Sequence, residues 1–397
     1  MRSATRGEHP APDGGPSRRR ALALGALGAA GALAGLTGCG SAAQAPARAA
    51  TVLPPSEPAR AAVWRAEVAQ ASLVTLFDAP SPQLLHYAHP HDPAADAPFH
   101  YWWNAHAVDV AIDAWERTHD PADLARAQQL RENLVLRNGG RLVNDFFDDM
   151  GWFALALLRL AEADDDPTAL DDAVALHDHV WDLGWSRQGG GIVWEKGSYH
   201  YKNTPANGPF VIAGHRLHRA TGEDRFLERA RASLQWWEDT LVEPDGFVHD
   251  GINRLGDGTI DTAWRFTYNQ GLYIGACVEE YRTDGDPARL DRAAATADVT
   301  LAELTDGPVL RPDGDGGDAG LFPGIFYRYA GQLLAETEHP GLAELVATST
   351  EVLFEHQYVD GVLRAGDDWS VPAPASTDLS TQLSAVMACE VAAALHR

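Results

Sequence analysis

The sequence predicts an all-α fold, an (α/α)6 toroid of six helical hairpins with short β-hairpin-like loops at one end, and three observations carry that expectation. A helix-opening motif recurs five times, an apolar and aromatic-rich helical stretch precedes each copy, and the chain closes on an apolar helix. The copies are PADLARA at 121, PTALDDA at 167, DRFLERA at 224, PARLDRA at 287 and PGLAELV at 340. A motif returning at such intervals marks a repeated supersecondary unit. Each copy follows a turn rich in Asp, Gly or Pro, where an acidic or small side chain accepts from the free amides of a new helix.

Helices that open with the motif, such as DRFLERARASLQWWEDTL, are charged on one face and apolar on the other, as an outer helix should be. The stretches before them are apolar nearly all round, which means burial: YWWNAHAVDVAIDAWERT, DDMGWFALALLRLAE, NTPANGPFVIAGHRLHRAT, TYNQGLYIGACVEEYRT and GLFPGIFYRYAGQLLAE. STQLSAVMACEVAAALHR makes a sixth inner helix at the C-terminus, and ARAAVWRAEVAQASLVTLF at 59–77 supplies the first inner helix with an upstream outer partner. A linear solenoid is the competing architecture, but it would cap its last helix with a polar face, whereas ring closure covers an apolar one. In a ring, every outer-to-inner connection lies at one end, together with the N-termini of the inner helices. Two of these connections, SRQGGGIVWEKGSYHYK at 186–202 and EPDGFVHDGINRLGDGTIDTAWRF at 243–266, are rich in Gly and aromatics and read as short hairpins.

The toroid occupies residues 59–397, and what precedes it is different in kind. Residues 1–38 place Arg18, Arg19 and Arg20 ahead of a small-residue apolar run, an export signal of twin-arginine character. Leu36-Thr37-Gly38-Cys39 resembles a bacterial lipobox, which makes Cys39 the lipidation site. Residues 39–58, rich in Ala, Pro and Ser, form a tether. The expected location is the outer face of the cell membrane through the lipid, or secretion.

The 397-residue chain is 45% hydrophobic, enough for a sizeable core, and its formal charge of -25 argues against nucleic acid and anionic membrane surfaces as partners. Cys277 and Cys389 sit mid-helix in apolar settings and read as buried free thiols. Nothing has the spacing of a metal site. His177 and His179 are two apart on a helix and do not share a face. PDGDGGD at 312–318 resembles a calcium loop, but the twelfth position counted from Asp313 is Gly324 rather than Glu, so it reads as a flexible acidic turn.

The chemistry is expected where the inner helices begin. Those ends carry Tyr101 to Asn104, the pair Asp148 and Asp149, Asn203, Thr204 and Asn207, Thr267 to Gln270, Phe322 and Phe326, and Thr377 to Thr381. Each polar residue alone would be a helix cap. Gathered on one rim, they offer hydrogen bonds and flat rings to a neutral polyol. Within FFDDMGW, two adjacent carboxylates lie among aromatic rings, and paired carboxylates are the machinery of glycoside hydrolysis. Consecutive helical positions allow carboxyl groups roughly 5–6 Å apart, near the separation of retaining enzymes. Like charges this close should titrate apart, leaving one as acid near neutral pH.

The blocks FFDDMGWFALALLRLAE, GGGIVWEKGSYHYKNTPANGPFVIAGHRLHRATGE, DGFVHDGI, FTYNQGLYIGA, LFPGIFYRY and STQLSAV, in this order, resemble glycoside hydrolase family 76 from about residue 60 to the C-terminus. The resemblance implies an (α/α)6 barrel with endo-α-1,6-mannanase activity, acting with retention and without metal or cofactor. It implies Asp148 as nucleophile and Asp149 as general acid/base, and sugar contacts from Asn203, Asn207, Asp250, Tyr268, Asn269 and Gln270. Trp103 and Trp194 are candidate stacking platforms. The substrate would be α-mannan or a mannooligosaccharide, and the expected state a monomer. Transglycosylation on a mannose-containing glycan and a non-catalytic glycan-binding lipoprotein are the alternative readings.

Overall fold

The computed structural model describes residues 55–396; the predicted export signal, Cys39 and most of the predicted tether lie outside that range. The described residues form twelve α-helices: α1 (Pro58–Phe77), α2 (Tyr101–Thr118), α3 (Pro121–Arg137), α4 (Phe147–Asp164), α5 (Pro167–Gly184), α6 (Thr204–Thr221), α7 (Asp224–Leu241), α8 (Thr267–Asp284), α9 (Pro287–Glu303), α10 (Phe322–Glu336), α11 (Pro340–Gln357) and α12 (Leu379–Ala394). The five motif copies open α3, α5, α7, α9 and α11. Asp120, Asp166 and Asp286 cap three of them, each accepting the amide two residues on, and the Pro that follows fits a first turn with no amide partner to lose.

The even-numbered helices form the inner ring. Each packs on the next, and α12 closes against α2. Their small residues set how near they come. A Cβ on Gly271 of α8 would lie 2.6 Å from the Cα of Phe326 on α10, so only glycine permits that approach. Four outer helices pack on the inner helix before them, α3 on α2, α5 on α4, α7 on α6 and α9 on α8. The first outer helix differs from expectation: α1 packs chiefly on α12 rather than pairing with α2, so the two ends of the chain close the ring. This is the cover that the apolar C-terminal helix requires. Cys277 and Cys389 are buried thiols on α8 and α12, and burial pushes the Cys277 thiol up to about 12. Among the described residues no helix is long and apolar enough to cross a membrane.

Both aromatic connections fold as short antiparallel strands. Val193–Glu195 pairs with Ser198–Asn203, which pairs in turn with Gly251–Ile252. A single bridge between Phe146 and Glu195 ties this small sheet to the start of α4. A second two-stranded pairing, Ala88–His89 with Thr377–Asp378, joins the α1–α2 loop to the segment before α12. All of these lie at the end where the inner helices begin.

Candidate active site

Asp148 and Asp149 occupy the first turn of α4, where unpaired backbone amides favour negative charge. Both are buried, at 7% and 2% exposure, beside Phe146, Trp152 and Trp194. The carboxylates are held from different sides. Asp148 accepts the Trp194 indole N–H on Oδ2 at 3.0 Å and the Asp149 amide on Oδ1 at 3.0 Å. Asp149 Oδ2 accepts the side-chain amide of Asn144 at 2.6 Å, and Asn144 Oδ1 accepts the Phe146 amide at 3.0 Å. One asparagine thus steers the chain into α4 and orients the second carboxyl group. Tyr101, buried close by, has its hydroxyl pushed well above the usual range by burial and by the charges of Asp149 and Asp172.

The pocket over the pair is completed by Trp102 from α2, Pro205 from α6, Tyr268 from α8, Phe322 from α10 and Asp318. Tyr268 and Phe322 stack face to face, 3.9 Å apart and 10° from parallel, and Trp102 leans on both Trp152 and Phe322. Below this aromatic floor His106 is fully buried, and burial, outweighing the attraction of Asp109, pushes its imidazole down to about 3. Deeper still, Arg159 and Arg328 share Asp113 at 2.7–2.8 Å, an ionic cluster that joins α2, α4 and α10 and faces a second cavity. A larger cavity of about 950 Å³ lies at the opposite end of the ring, among the C-terminal halves of the inner helices. Its arginines, such as Arg216 and Arg219, are paired with carboxylates such as Glu279, and it lacks the Asp148–Asp149 pair. Chemistry, not volume, picks the site.

The structure sorts the other sequence-derived residues. Tyr268 and Trp194 line the pocket. Asp250, fully buried, accepts from the Tyr201 and Tyr268 hydroxyls at 2.8 and 2.6 Å and from Asn269 Nδ2 at 3.4 Å, so it positions the rim behind the pocket wall. Asn203 caps α6 by accepting the Ala206 amide. Asn207 is spent internally: Oδ1 accepts from the Ile192 amide and Ser233, and Nδ2 donates to the carbonyls of Ile192 and Asn203. Gln270 likewise clamps both backbone groups of Val248. Trp103 is buried against His100, 3.9 Å away and 9° from parallel, and is not a pocket-lining ring; its neighbour Trp102 is.

The acidic turn before α10 is not the flexible one expected. Asp313 accepts the Thr267 amide at 2.8 Å and the Thr267 hydroxyl, capping α8. Gly316 and Gly317 donate to Asp367 and Asp378, both at 2.7 Å. Asp318 then takes the indole N–H groups of Trp102 and Trp103, each at 3.0 Å, and reaches the pocket. Asn144 and Asp318 are the residues that sequence reasoning missed. The available signals were their places, just ahead of FFDD and at the end of the turn leading into GLFPGIF.

A ring of inner helices that buries two carboxylates among aromatic rings at its N-terminal end defines an α/α toroid whose site carries the paired carboxylates that glycoside hydrolysis uses. The glycosyl hydrolase family 76 profile matches residues 64–396, and the chain belongs to that family of glycoside hydrolases. Among solved structures it resembles the Lin0763 protein from Listeria innocua, 41% identical, with a TM-score of 0.82 over 84% of this chain and 97% of that one. It also resembles an α-1,6-mannanase, GH76A of Salegentibacter sp. HEL1_6, 34% identical, with a TM-score of 0.78 over 84% of this chain and 99% of that one. That structure is an inactive variant, with two consecutive aspartates replaced by asparagine, in complex with α-1,6-mannotriose. Among curated proteins, the mannan endo-1,6-alpha-mannosidases DCW1 of Candida glabrata and Saccharomyces cerevisiae match at 27% and 25% identity over 49% and 60% of this chain. The chain spans 48% and 60% of those relatives' lengths.

Proposed function

We propose that this chain is an endo-acting, retaining glycoside hydrolase that cleaves α-1,6-mannosidic bonds in mannan or a mannose-bearing glycoconjugate, exported and lipidated on Cys39. The observation that carries the reading is the buried Asp148–Asp149 pair, each carboxylate held by its own side-chain donor in a pocket lined by aromatic rings. Two N–H donors converge on Asp148 and suit it to remain an anion, so it is the nucleophile: one oxygen attacks the anomeric carbon and the glycosidic C–O bond breaks. Asp149 gives its proton to the departing oxygen. It then takes a proton from water, which attacks the glycosyl-enzyme and releases Asp148, so retention follows from two displacements. Trp102, Trp152 and Phe322 offer faces to the C–H surfaces of mannose rings and keep bulk water from the intermediate.

The mannan assignment rests on the relatives: a family member at 34% identity holds α-1,6-mannotriose once two consecutive aspartates are changed. Incubation of the purified protein with linear α-1,6-mannan should release short oligosaccharides. Intact polymer after prolonged incubation with protein that binds it would refute hydrolysis and leave a glycan-binding lipoprotein. Longer products formed with an added acceptor would instead mark a transglycosylase. For the anchor, Cys39→Ala should release the protein from the membrane fraction.

A further inference from the structure

The loop between α1 and α2 gathers a second set of chemically active side chains, outside the carboxylate pocket. His86 Nδ1 lies 2.7 Å and His91 Nε2 3.0 Å from the same atom, Asp96 Oδ2. Their imidazole rings stack with centroids 3.7 Å apart and planes 29° from parallel. One ligand atom from each of the three residues lies within 4.8 Å of those from the other two. We propose that His86, His91 and Asp96 form a binding site for a divalent ion of the zinc class, and that the ion ties the α1–α2 loop to the rim of the barrel.

The donor set points to the class of ion. Two imidazole nitrogens and one carboxylate oxygen are borderline donors suited to zinc, cobalt(II) or nickel(II), not the all-oxygen set that calcium or magnesium takes. Ligand atoms around a tetrahedral zinc stand roughly 3.3 Å apart, given bonds of about 2.0–2.1 Å. The two nitrogen-to-oxygen separations, 2.7 and 3.0 Å, are shorter than this, and all three ligand atoms fall within 4.8 Å of one another, so side-chain torsions open the two short separations to admit the ion. A bound ion takes one ring nitrogen of each imidazole, and the ring proton sits on the other. The carboxylate is already oriented, because its second oxygen, Oδ1, accepts the Tyr87 amide at 2.8 Å. His86 and Asp96 are 20% and 16% exposed at their side chains, whereas His91 is 45% exposed, so the cluster opens to solvent on one side. Water completes the coordination there.

The surroundings define the ion's role. Tyr87, next to His86, is a fixed point of the rim: its hydroxyl accepts from Asn104 and Arg137, its carbonyl accepts the Leu379 amide, and its ring meets Trp103 edge-on. Ala88 and His89 then pair with Asp378 and Thr377. An ion at this place staples the seam where α1, α2 and α12 close the ring, and it stands apart from Asp148 and Asp149. Nine residues, only Ala88 and His89 of them in a strand, separate His86 from Asp96, which is why helical spacing rules gave no sign of the site.

The test uses the purified protein after chelator treatment and desalting, with zinc chloride and cobalt(II) chloride as probes. Calorimetric titration should show one zinc per chain, cobalt(II) should give the visible absorption of a four- or five-coordinate ion, and zinc should raise Tm. His91→Ala, at an exposed position, should fold and lose all three responses, with affinity falling by more than the roughly 10- to 100-fold that an outer-shell partner costs. Asp96→Asn provides the second variant. Glycan hydrolysis by His91→Ala without added zinc should match wild type. If wild type takes up no more zinc than His91→Ala, or zinc shifts Tm equally in both, the cluster is a hydrogen-bonded loop brace and the proposal is overturned.

Discussion

The indole N–H of Trp194 donates to Oδ2 of Asp148 across 3.0 Å, linking the β-hairpin that follows α5 to the first turn of α4. Trp194→Phe keeps a ring against Phe146 and removes the donor. A hydrogen bond to a charged group contributes roughly 1.5–3 kcal/mol, so kcat should fall about 10- to 100-fold, while Tm falls by a few degrees and the chain stays folded. Steady-state kinetics beside a thermal melt check this, and an unchanged kcat would remove Trp194 from the mechanism.

Asp318 accepts from Trp102 and Trp103 at 3.0 Å each, so Asp318→Ala takes the acceptor from two indole donors. An orphaned buried donor costs roughly 1–3 kcal/mol. Stability should drop by about that much or more, and KM should rise as Trp102 loses its fixed orientation over the pocket. A variant with normal KM would show that Trp102 does not meet the sugar.

The ring was legible because burial has a period. Inner and outer helices differ in how much of their circumference is apolar, and five copies of one helix-opening motif mark where all the outer ones after α1 start. The partner of α1 was not legible, since apolar faces state that a helix is covered and not by which neighbour. The carboxylate pair was readable as chemistry from its two charges among aromatics. Side-chain direction was not: Trp102 and Trp103 are consecutive, about 100° apart around α2, and only one lines the pocket. For the same reason Asn207 and Gln270, polar residues in the first turns of inner helices, look like sugar ligands in sequence. In the fold they clamp the backbones of Ile192 and Val248.

Burial raises the Asp313 carboxyl to about 7, against an ordinary value of 3.8. Between those values the folded chain keeps a proton that the unfolded chain has released, so this group makes stability fall as pH rises from about 4 to 7. Asp313→Asn, whose amide still reaches the Thr267 amide and hydroxyl, should remove that component. Urea unfolding at pH 4 and pH 7 should show the variant gaining on wild type at the higher pH; a constant difference would contradict the assignment.

Buried histidines act with the opposite sign. Burial, set against nearby carboxylates, pushes His106 and His177 down to about 3 and His215 to about 4. Unfolded imidazoles take up protons near pH 6.5, so stability is held above that value and is lost as pH falls from 6.5 toward 4. His177 stacks on Phe210 at 4.0 Å, and His177→Leu should flatten this loss relative to wild type in melts between pH 7 and 4. Parallel curves would show that His177 is not carried neutral.

Asp148 and Asp149 are proposed to cleave an α-1,6-mannosidic bond through a glycosyl-enzyme. Proton NMR of α-1,6-mannotetraose during digestion tests it most directly, with wild type, Asp148→Asn and Asp149→Asn run side by side. Wild type should release the α-anomer of the new reducing end first, ahead of mutarotation, and both variants should be slower by roughly 10³-fold or more. First appearance of the β-anomer, or undiminished cleavage by either variant, would contradict it.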